Sequence, residues 1–251
     1  MSMGGYGGVT HTGKVREHNE DSLALRPDLG LYIVADGMGG AARGDLASKI
    51  VVETLPALVE PLLVEFDHGS ESTLSPFLDI KEPVVDAIKQ LSIQVRDTAA
   101  RHPEFQGMGS TVVLVLVRDG HVLAAHMGDS RAYALKNGEL TRLTRDHSVV
   151  QFLVESGEIS AKDAESHPAK NQITQCVGME EEPLPDVMEA RFQPGDRLLL
   201  CTDGLTSMVA DTAIKDILEQ GLTPEETCEL LVTTANEAGG VDNITAVIVD
   251  A

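Results

Sequence analysis

Apolar residues occur along the chain in short runs that are separated by turn residues. The segments 110–117 and 121–127 consist almost entirely of strand-forming residues, and the step Asp119-Gly120 between them is typical of a hairpin turn. Asn137-Gly138 gives a second hairpin signal after the run R-A-Y-A-L (131–135). Further strands are predicted over 22–25, 31–35, 188–192, 197–201 and 244–249.

Other segments place apolar residues three or four positions apart, which is the spacing of a helix face. In the first of these helices, Pro56 and Pro61 are expected to kink or end the helix. Thr223 and Glu226 form a capping box at the start of the last helix, where Pro224 occupies the first helical position. Helices are predicted over 41–63, 84–100, 211–220 and 223–238.

Two long segments lie between these elements. Residues 65–83 are predicted to form a loop. Residues 146–185, which we call the flap, have a polar and helical pattern with no obvious strand. Because the strands run in hairpins and the helices in separate pairs, the order favours an α+β fold of antiparallel sheets covered by helices. A length of 251 residues suits one domain over 1–251.

The chain is strongly acidic, with 40 Asp and Glu against 19 Lys and Arg and a net charge of −21. This charge argues against nucleic acid and anionic membranes as partners. It does not exclude a phosphate substrate, because bound metal ions reverse the field locally.

Two further features predict a cytoplasmic location. The N-terminus has neither a basic region nor an apolar stretch, so no signal peptide is expected. Cys176, Cys201 and Cys228 show no paired spacing and are expected to be reduced thiols.

Four acidic residues fall at breaks between the apolar runs: Glu20, Asp36, Asp203 and Asp242. A carboxylate at the tip of a strand is held rigidly and still reaches a cleft. If the four converge, they form a site for hard divalent cations, as in a two-metal hydrolase. Ligands that are all oxygen favour Mg²⁺ or Mn²⁺, and no His or Cys cluster in the sequence has zinc spacing.

Seven motifs, in an order and spacing that cover nearly the whole chain, give these carboxylates a context. The sequence resembles the metal-dependent protein phosphatases of type 2C, specifically their compact bacterial members. That resemblance implies an α-β-β-α sandwich of two antiparallel sheets between helix pairs. The motifs are R-E-H-N-E-D (16–21), A-D-G-M-G-G (35–40), G-S-T (109–111), G-D-S-R-A-Y (128–133), L-T-R-D-H-S (143–148), C-T-D-G-L (201–205) and V-D-N-I-T (241–245).

The resemblance also implies a role for each acidic residue. Asp36 would bridge two metal ions, and the carboxylate of Glu20 and the backbone carbonyl of Gly37 would complete one of them. Asp203 and Asp242 would hold the other ion.

Three more positions match the family's motifs or depart from them. Asp129 would help to hold a third ion together with Asp203, and Arg16 would bind the phosphate. Met38 stands where many eukaryotic relatives carry a histidine that is a candidate general acid. A thioether cannot donate a proton, so a metal-bound water or another side chain, with His18 as a candidate, would protonate the leaving group.

Simpler structural interpretations stay open for several of these residues. Asp129 can cap a turn, and Arg16 can form a surface ion pair with Glu20 or Asp21. Ser110 and Thr111 are expected to be sheet residues. Arg145 and His147 are expected to stabilise the start of the flap.

The expected function is hydrolysis of phosphoserine and phosphothreonine in proteins, by a metal-bridging hydroxide that attacks in line. Partners would be phosphorylated proteins, including a Ser/Thr kinase or its targets, and the protein is expected to be a monomer. Two alternatives remain. One is a catalytically weak protein that senses phosphoproteins, and the other is a phosphatase of a non-protein phosphomonoester.

Overall fold

Two antiparallel sheets form the centre of the molecule. In the computed structural model of the protein, the described residues are 4–39, 43–67 (side chains as far as 63) and 77–251. The first sheet has the strand order β1-β11-β10-β7-β8 and the second has the order β2-β3-β5-β6-β9, with β4 paired to β3. The strands are β1 Tyr6–His11, β2 Asp21–Arg26, β3 Leu31–Met38, β4 Gly109–Ser110, β5 Val112–Arg118, β6 His121–Met127, β7 Arg131–Lys136, β8 Glu139–Arg142, β9 Asp186–Arg191, β10 Arg197–Cys201 and β11 Ile244–Asp250.

Helices cover the outer faces of both sheets. The long helices α1 and α2 lie on the second sheet, and α6 and α7 lie on the first. None of the helices in the described ranges is long and apolar enough to cross a membrane. The helices are α1 Gly44–Asp67, α2 Lys81–Arg101, α3 Val149–Glu155, α4 Ala161–Ala164, α5 Asp203–Thr206, α6 Asp211–Leu218 and α7 Pro224–Glu237, with a short 3₁₀ helix at Pro103–Phe105.

The apolar side chains fall into three buried layers. In β3, Leu31 and Ile33 face α1 and α2, whereas Tyr32 and Val34 face the other sheet. In β11, alternate residues likewise face α7 or the space between the sheets. Because both faces of the central strands are buried, these strands are continuous apolar runs. The layer order is therefore α-β-β-α, and the expected fold class is confirmed.

Strand β1 was not predicted from the sequence. Tyr6–His11 pairs in antiparallel register with β11, from Tyr6 opposite Val249 to His11 opposite Ile244. Its glycines are atypical of a strand, but a Cβ on Gly7 would lie 2.6 Å from the backbone nitrogen of Glu225 in α7. The glycine is required by close packing of the helix, and it hides the strand pattern.

The boundaries of α1 and α2 also differ from the prediction. Pro56 and Pro61 do not end α1, which continues through both to Asp67. Each proline removes one helical hydrogen bond, but Val51, Leu55 and Val59 on the same helix are fully buried, and this packing offsets the loss. Helix α2 begins at Lys81, so the predicted loop over 65–83 is wrong at both ends. Residues 68–76 lie outside the described part.

The local turn and cap predictions are confirmed. Asp119 and Asn137 both have positive φ and precede glycines with positive φ, as a two-residue hairpin turn requires. Thr223 and Glu226 form the capping box at the start of α7.

Candidate metal centre

The predicted acidic residues lie on neighbouring strand ends. Asp36 is in β3 and stands opposite Asp21 of β2 in the antiparallel register. Asp203 is the first residue of α5, two positions after β10 ends, and Asp242 lies two positions before β11 begins. Asp129 is in the turn between β6 and β7. The chain therefore delivers these carboxylates from segments that are far apart in sequence to one region of the sandwich.

The charges of these carboxylates act on one another. Burial raises the pKa of Asp36 well above its ordinary value, and the charges of Asp21, Asp203, Asp129 and Asp242 raise it further. Burial and the charge of Asp242 also raise the pKa of Asp203, against the opposing effect of a hydrogen bond with Asp36. Like charges in such proximity are unfavourable unless protons or cations neutralise them.

The same coupling includes Asp129. Burial, followed by the charge of Asp203, raises the pKa of Asp129 to about 7. No three carboxylates of the described residues bring their oxygens within 4.8 Å of one another. Oxygen donors of this kind fit Mg²⁺ or Mn²⁺, and the predicted donor set contains no nitrogen or sulfur ligand.

The glycines after Asp36 and Asp203 are required by close backbone approach. A Cβ on Gly37 would lie 2.0 Å from the carbonyl oxygen of Gly44, and one on Gly204 would lie 1.9 Å from the carbonyl oxygen of Asn243. The two Asp-Gly pairs thus mark places where a second segment packs directly on the strand end.

Arg16 lies at the exposed side of the cluster. Its Nη2 donates to Oδ2 of Asp242 at 2.7 Å, and half of its side chain is exposed. This hydrogen bond is the main reason why the pKa of Arg16 is raised, and the charges of Glu20 and Asp36 add to it. The ion pair is therefore with Asp242, and not with Glu20 or Asp21. One edge of the guanidinium group is held at the carboxylate of Asp242.

Asn243, which was not predicted as a site residue, holds the segment that carries Arg16 and Glu20. The buried amide donates through Nδ2 to the carbonyl oxygens of Thr12 and His18, each at 2.9 Å. Its Oδ1 accepts from the backbone N–H of Glu20 at 2.8 Å. The three bonds fix residues 12–20 next to Asp242.

Asp21 was also missed as a functional candidate. Its Oδ2 accepts from the hydroxyls of Thr202 at 2.9 Å and Thr245 at 2.7 Å. Burial raises the pKa of Asp21 to about 7. Its Oδ1 is buried with no hydrogen-bond partner among the described residues. An orphaned buried carboxylate oxygen beside the cluster fits a centre that is completed by bound ions and their water.

Ser110 and Thr111 do belong to the sheet region, but they also hold Asp36. The backbone N–H of Thr111 donates to the carbonyl oxygen of Asp36 at 2.8 Å, and the N–H of Asp36 donates to Oγ1 of Thr111 at 3.0 Å. The hydroxyl of Ser110 donates to the same carbonyl at 3.0 Å. The Thr111 hydroxyl also bonds to that of Ser130 at 2.7 Å, next to Asp129. A buried hydroxyl network thus connects two of the acidic residues.

The base of the flap is attached to the turn that carries Asp129. Arg131 donates to both carboxylate oxygens of Asp146, at 2.6–3.2 Å. The backbone N–H of His147 donates to the carbonyl oxygen of Gly128 at 2.9 Å. Arg145 forms an ion pair with Glu155 inside the flap. Arg145 and His147 therefore both stabilise the start of the flap, as predicted.

Met38 and His18 occupy different surroundings. Met38 pairs with Gly109 at the end of β3 and lines a pocket together with Met108, Cys176 and Met179. His18 is exposed. The source of the proton for the leaving group stays a prediction.

The α-β-β-α layers around a cluster of carboxylates define the class of metal-dependent phosphatases to which the sequence motifs also point. The family model for protein phosphatase 2C matches residues 9–236. The chain belongs to the protein phosphatase 2C family.

Individual relatives agree with this assignment over nearly the whole chain. The chain is 38% identical over 245 residues to the serine/threonine phosphatase stp of Listeria welshimeri, which covers 96% of this chain and 93% of the relative. It matches the crystal structure of the serine/threonine phosphatase Stp1 from Staphylococcus aureus with a TM-score of 0.84 and 32% identity, covering 100% of this chain and 97% of that chain.

A third relative contains metal. The catalytic domain of the serine threonine protein phosphatase PstP, in complex with two manganese ions, matches with a TM-score of 0.78 and 32% identity. The match covers 98% of this chain and 96% of that chain. Phosphatases of this family are metal-dependent, and the carboxylates described above fit that requirement.

Proposed function

We propose that the protein hydrolyses phosphoserine and phosphothreonine in other proteins, at a centre that binds Mn²⁺ or Mg²⁺. The main support for this proposal is that buried carboxylates with raised pKa values lie together beside a half-exposed arginine. Two core ions and a third ion are proposed. The proposed ligands are Glu20, Asp36, the carbonyl of Gly37, Asp129, Asp203 and Asp242.

The residues of the chain have distinct roles in this reaction. When bound, the ions neutralise phosphate charge and lower the pKa of a coordinated water. Asp36, fixed through its backbone by Thr111 and Ser110, would bridge the two core ions. Arg16 would turn its guanidinium group from Asp242 towards two phosphate oxygens, because its planar fork of donors matches a tetrahedral anion.

Substrates are accordingly phosphorylated proteins, and a Ser/Thr kinase or its targets are expected partners. We further propose that the protein acts in the cytoplasm as a monomer with one domain, in which the flap is a small subdomain. Two of the three thiols, those of Cys201 and Cys228, are buried and unpaired, which agrees with a reducing compartment.

The proposal is tested by phosphate release from a panel of phosphoserine and phosphothreonine peptides, with p-nitrophenyl phosphate and phosphorylated metabolites as comparison substrates. Turnover is expected only with Mn²⁺ or Mg²⁺ and mainly with the peptides. Asp36→Asn and Asp203→Asn should each abolish turnover, because each removes an anionic ligand. The exposed Asp216→Asn is the matched control. Normal turnover in either of the first two variants would refute the metal assignment.

Arg16→Ala tests the phosphate-binding role separately. We expect a KM for phosphopeptide that is about tenfold higher or more, since one charge-assisted hydrogen-bonding group is worth roughly 1.5–3 kcal/mol. The exposed Arg101→Ala should leave KM unchanged. An unchanged KM in Arg16→Ala would return that residue to a structural ion pair with Asp242.

A further inference from the structure

A second group of potential metal ligands lies at the base of the flap. His126 is in β6, His147 is the second residue of the flap, and Asp186 is the first residue of β9, directly after the flap. One ring nitrogen of each histidine and one carboxylate oxygen of Asp186 lie within 4.8 Å of one another. This is the only such group among the described residues. No zinc spacing is visible in the sequence, because the three residues come from separate segments.

We propose that His126, His147 and Asp186 bind a transition-metal ion such as Zn²⁺, at a site separate from the acidic centre. Two imidazoles and one carboxylate are a ligand set that zinc uses in proteins, with water as the fourth ligand. Imidazole nitrogen suits Zn²⁺ and its neighbours in the transition series, whereas Mg²⁺ prefers oxygen donors. The site with the two histidines is therefore not expected to bind Mg²⁺.

One of the distances between the ligand atoms is already that of a bound ion. Nε2 of His147 lies 3.3 Å from Oδ2 of Asp186. In a tetrahedral zinc site with bonds of about 2.0–2.1 Å, neighbouring ligand atoms are about 3.3–3.4 Å apart. The two imidazole rings are stacked, with centroids 4.7 Å apart and planes inclined by 29°. Binding would require the two rings to rotate out of this stack, because the lone pairs of stacked rings are nearly parallel and those of two ligands of one ion converge.

His126 makes one hydrogen bond of the kind that metal-binding histidines commonly make. One of its nitrogens, Nε2, lies 2.7 Å from the carbonyl oxygen of Arg145, and a carbonyl only accepts, so Nε2 carries the proton. The lone pair is then on Nδ1. A ligating histidine typically donates its other N–H to a carbonyl in this way. Burial holds the pKa of His126 below its ordinary value, so the ring is neutral at neutral pH.

The ring of His147 must change one hydrogen bond. Its Nδ1 accepts from the N–H of Gly128 at 3.3 Å, so the ring proton is on Nε2 when no ion is bound. An ion on Nε2 moves this proton to Nδ1, and the long bond from Gly128 is lost. The carboxylate of Asp186 is half-exposed and is attracted by the charge of Arg145. The guanidinium group of Arg145 is, however, hydrogen-bonded to Glu155. The carboxylate of Asp186 thus remains available on the solvent side.

The site lies where both ends of the flap meet β6, so a bound ion would affect the flap. An ion held by these three side chains would join both ends of the flap to β6. Its binding is expected to protect the flap against limited proteolysis.

The test is titration of the full chain with Zn²⁺ by calorimetry. Mg²⁺ is present at a saturating concentration, so that the acidic centre is filled. One Zn²⁺ should bind, and Co²⁺ should give the visible absorption of a tetrahedral site with nitrogen ligands. His147→Gln and Asp186→Asn should each weaken binding by about tenfold or more, because even outer partners of a metal site are worth 10–100-fold. The exposed His102→Gln and Asp86→Asn are matched controls, and Cys176→Ser tests the one thiol that is not fully buried.

Each outcome decides the proposal. Loss of binding in the two ligand variants, with thermal stability and controls like the wild type, supports the site. The proposal is overturned if Zn²⁺ binds these variants as tightly as the wild type, or if binding is lost in Cys176→Ser. It is also overturned if no Zn²⁺ binds in the presence of Mg²⁺. His126 is not the first choice for substitution, because it is buried and its loss could unfold the protein.

Discussion

Asn243 offers the sharpest test of how the structure positions the acidic centre. Asn243→Ala removes one acceptor and two donors that hold Glu20, Thr12 and His18 at 2.8–2.9 Å. A net contribution of about 0.5–1.5 kcal/mol for each hydrogen bond gives a loss of about 3 kcal/mol for the three. That is a large part of the total stability of a typical domain, roughly 5–15 kcal/mol. We therefore expect a clear decrease in the free energy of unfolding.

Asn243→Asp separates the hydrogen bonds from the size of the side chain. The variant keeps the acceptor for the N–H of Glu20, but it places an oxygen against the carbonyls of Thr12 and His18 and adds a charge beside Asp242. Two donor bonds become repulsive contacts, so the loss should be at least as large as in Asn243→Ala. The exposed Asn171→Ala is the control and should be neutral.

Two measurements check this reasoning. Urea unfolding in the presence of a chelator, followed by circular dichroism, gives the stability without a contribution from bound ions. The Mn²⁺ concentration for half-maximal phosphatase activity should rise, because the segment that carries Arg16 and Glu20 is no longer fixed. An unfolding free energy of Asn243→Ala within about 0.5 kcal/mol of the wild type would refute the stability argument. An unchanged Mn²⁺ requirement would refute the positioning argument.

Two further predictions concern charge. Arg197→Met should lower the free energy of unfolding in urea by about 3–5 kcal/mol. The reason is that buried Arg197 donates to both carboxylate oxygens of Asp250 and to two backbone carbonyls. The control, Arg101→Met at an exposed position, should cost less than about 0.5 kcal/mol. A small loss in Arg197→Met would show that this network is not coupled to folding. In the metal-free protein, the pKa values of Asp21 and Asp129 are raised to about 7, so both bind protons more tightly in the folded state. Their contribution to stability is present below pH about 4 and is lost as pH rises to about 7. Asp129→Asn should reduce this decrease, measured as the midpoint of thermal unfolding against pH in chelator, and an identical pH profile would contradict the assigned pKa.

Most elements of the fold follow from the apolar pattern, because the central strands are buried on both faces. A strand such as Leu31–Met38 presents one set of side chains to the helices and the other to the opposite sheet, so its apolar run is unmistakable. Tyr6–His11 is different, since it is an edge strand over which α7 packs closely. Its pattern is decided by the space available to Gly7, which depends on tertiary structure.

Asp36 and Asp203 could be singled out from the sequence, because each lies between an apolar run and a glycine. The residues that hold these carboxylates in place could not be predicted from the sequence. Asn243 lies inside the motif V-D-N-I-T and Asp21 inside R-E-H-N-E-D, but nothing local shows that the first bonds to residues 12–20 or that the second faces Thr202 and Thr245. These contacts join residues about 180 to 230 positions apart, so they exist only after the two sheets have packed.

The turn between β6 and β7 connects the two groups of potential ligands. Ser130 reaches the segment that holds Asp36 through the hydroxyl of Thr111. On the other side, Gly128 exchanges two hydrogen bonds with His147 at the flap base. Asp129 lies between these contacts. A structural change at the flap base can therefore shift Asp129 through a single peptide unit. It can shift Asp36 only through the hydrogen bond between the hydroxyls of Ser130 and Thr111. On this geometry, the affinity for the proposed third ion should depend on the conformation of the flap base more strongly than the affinity for the two core ions does.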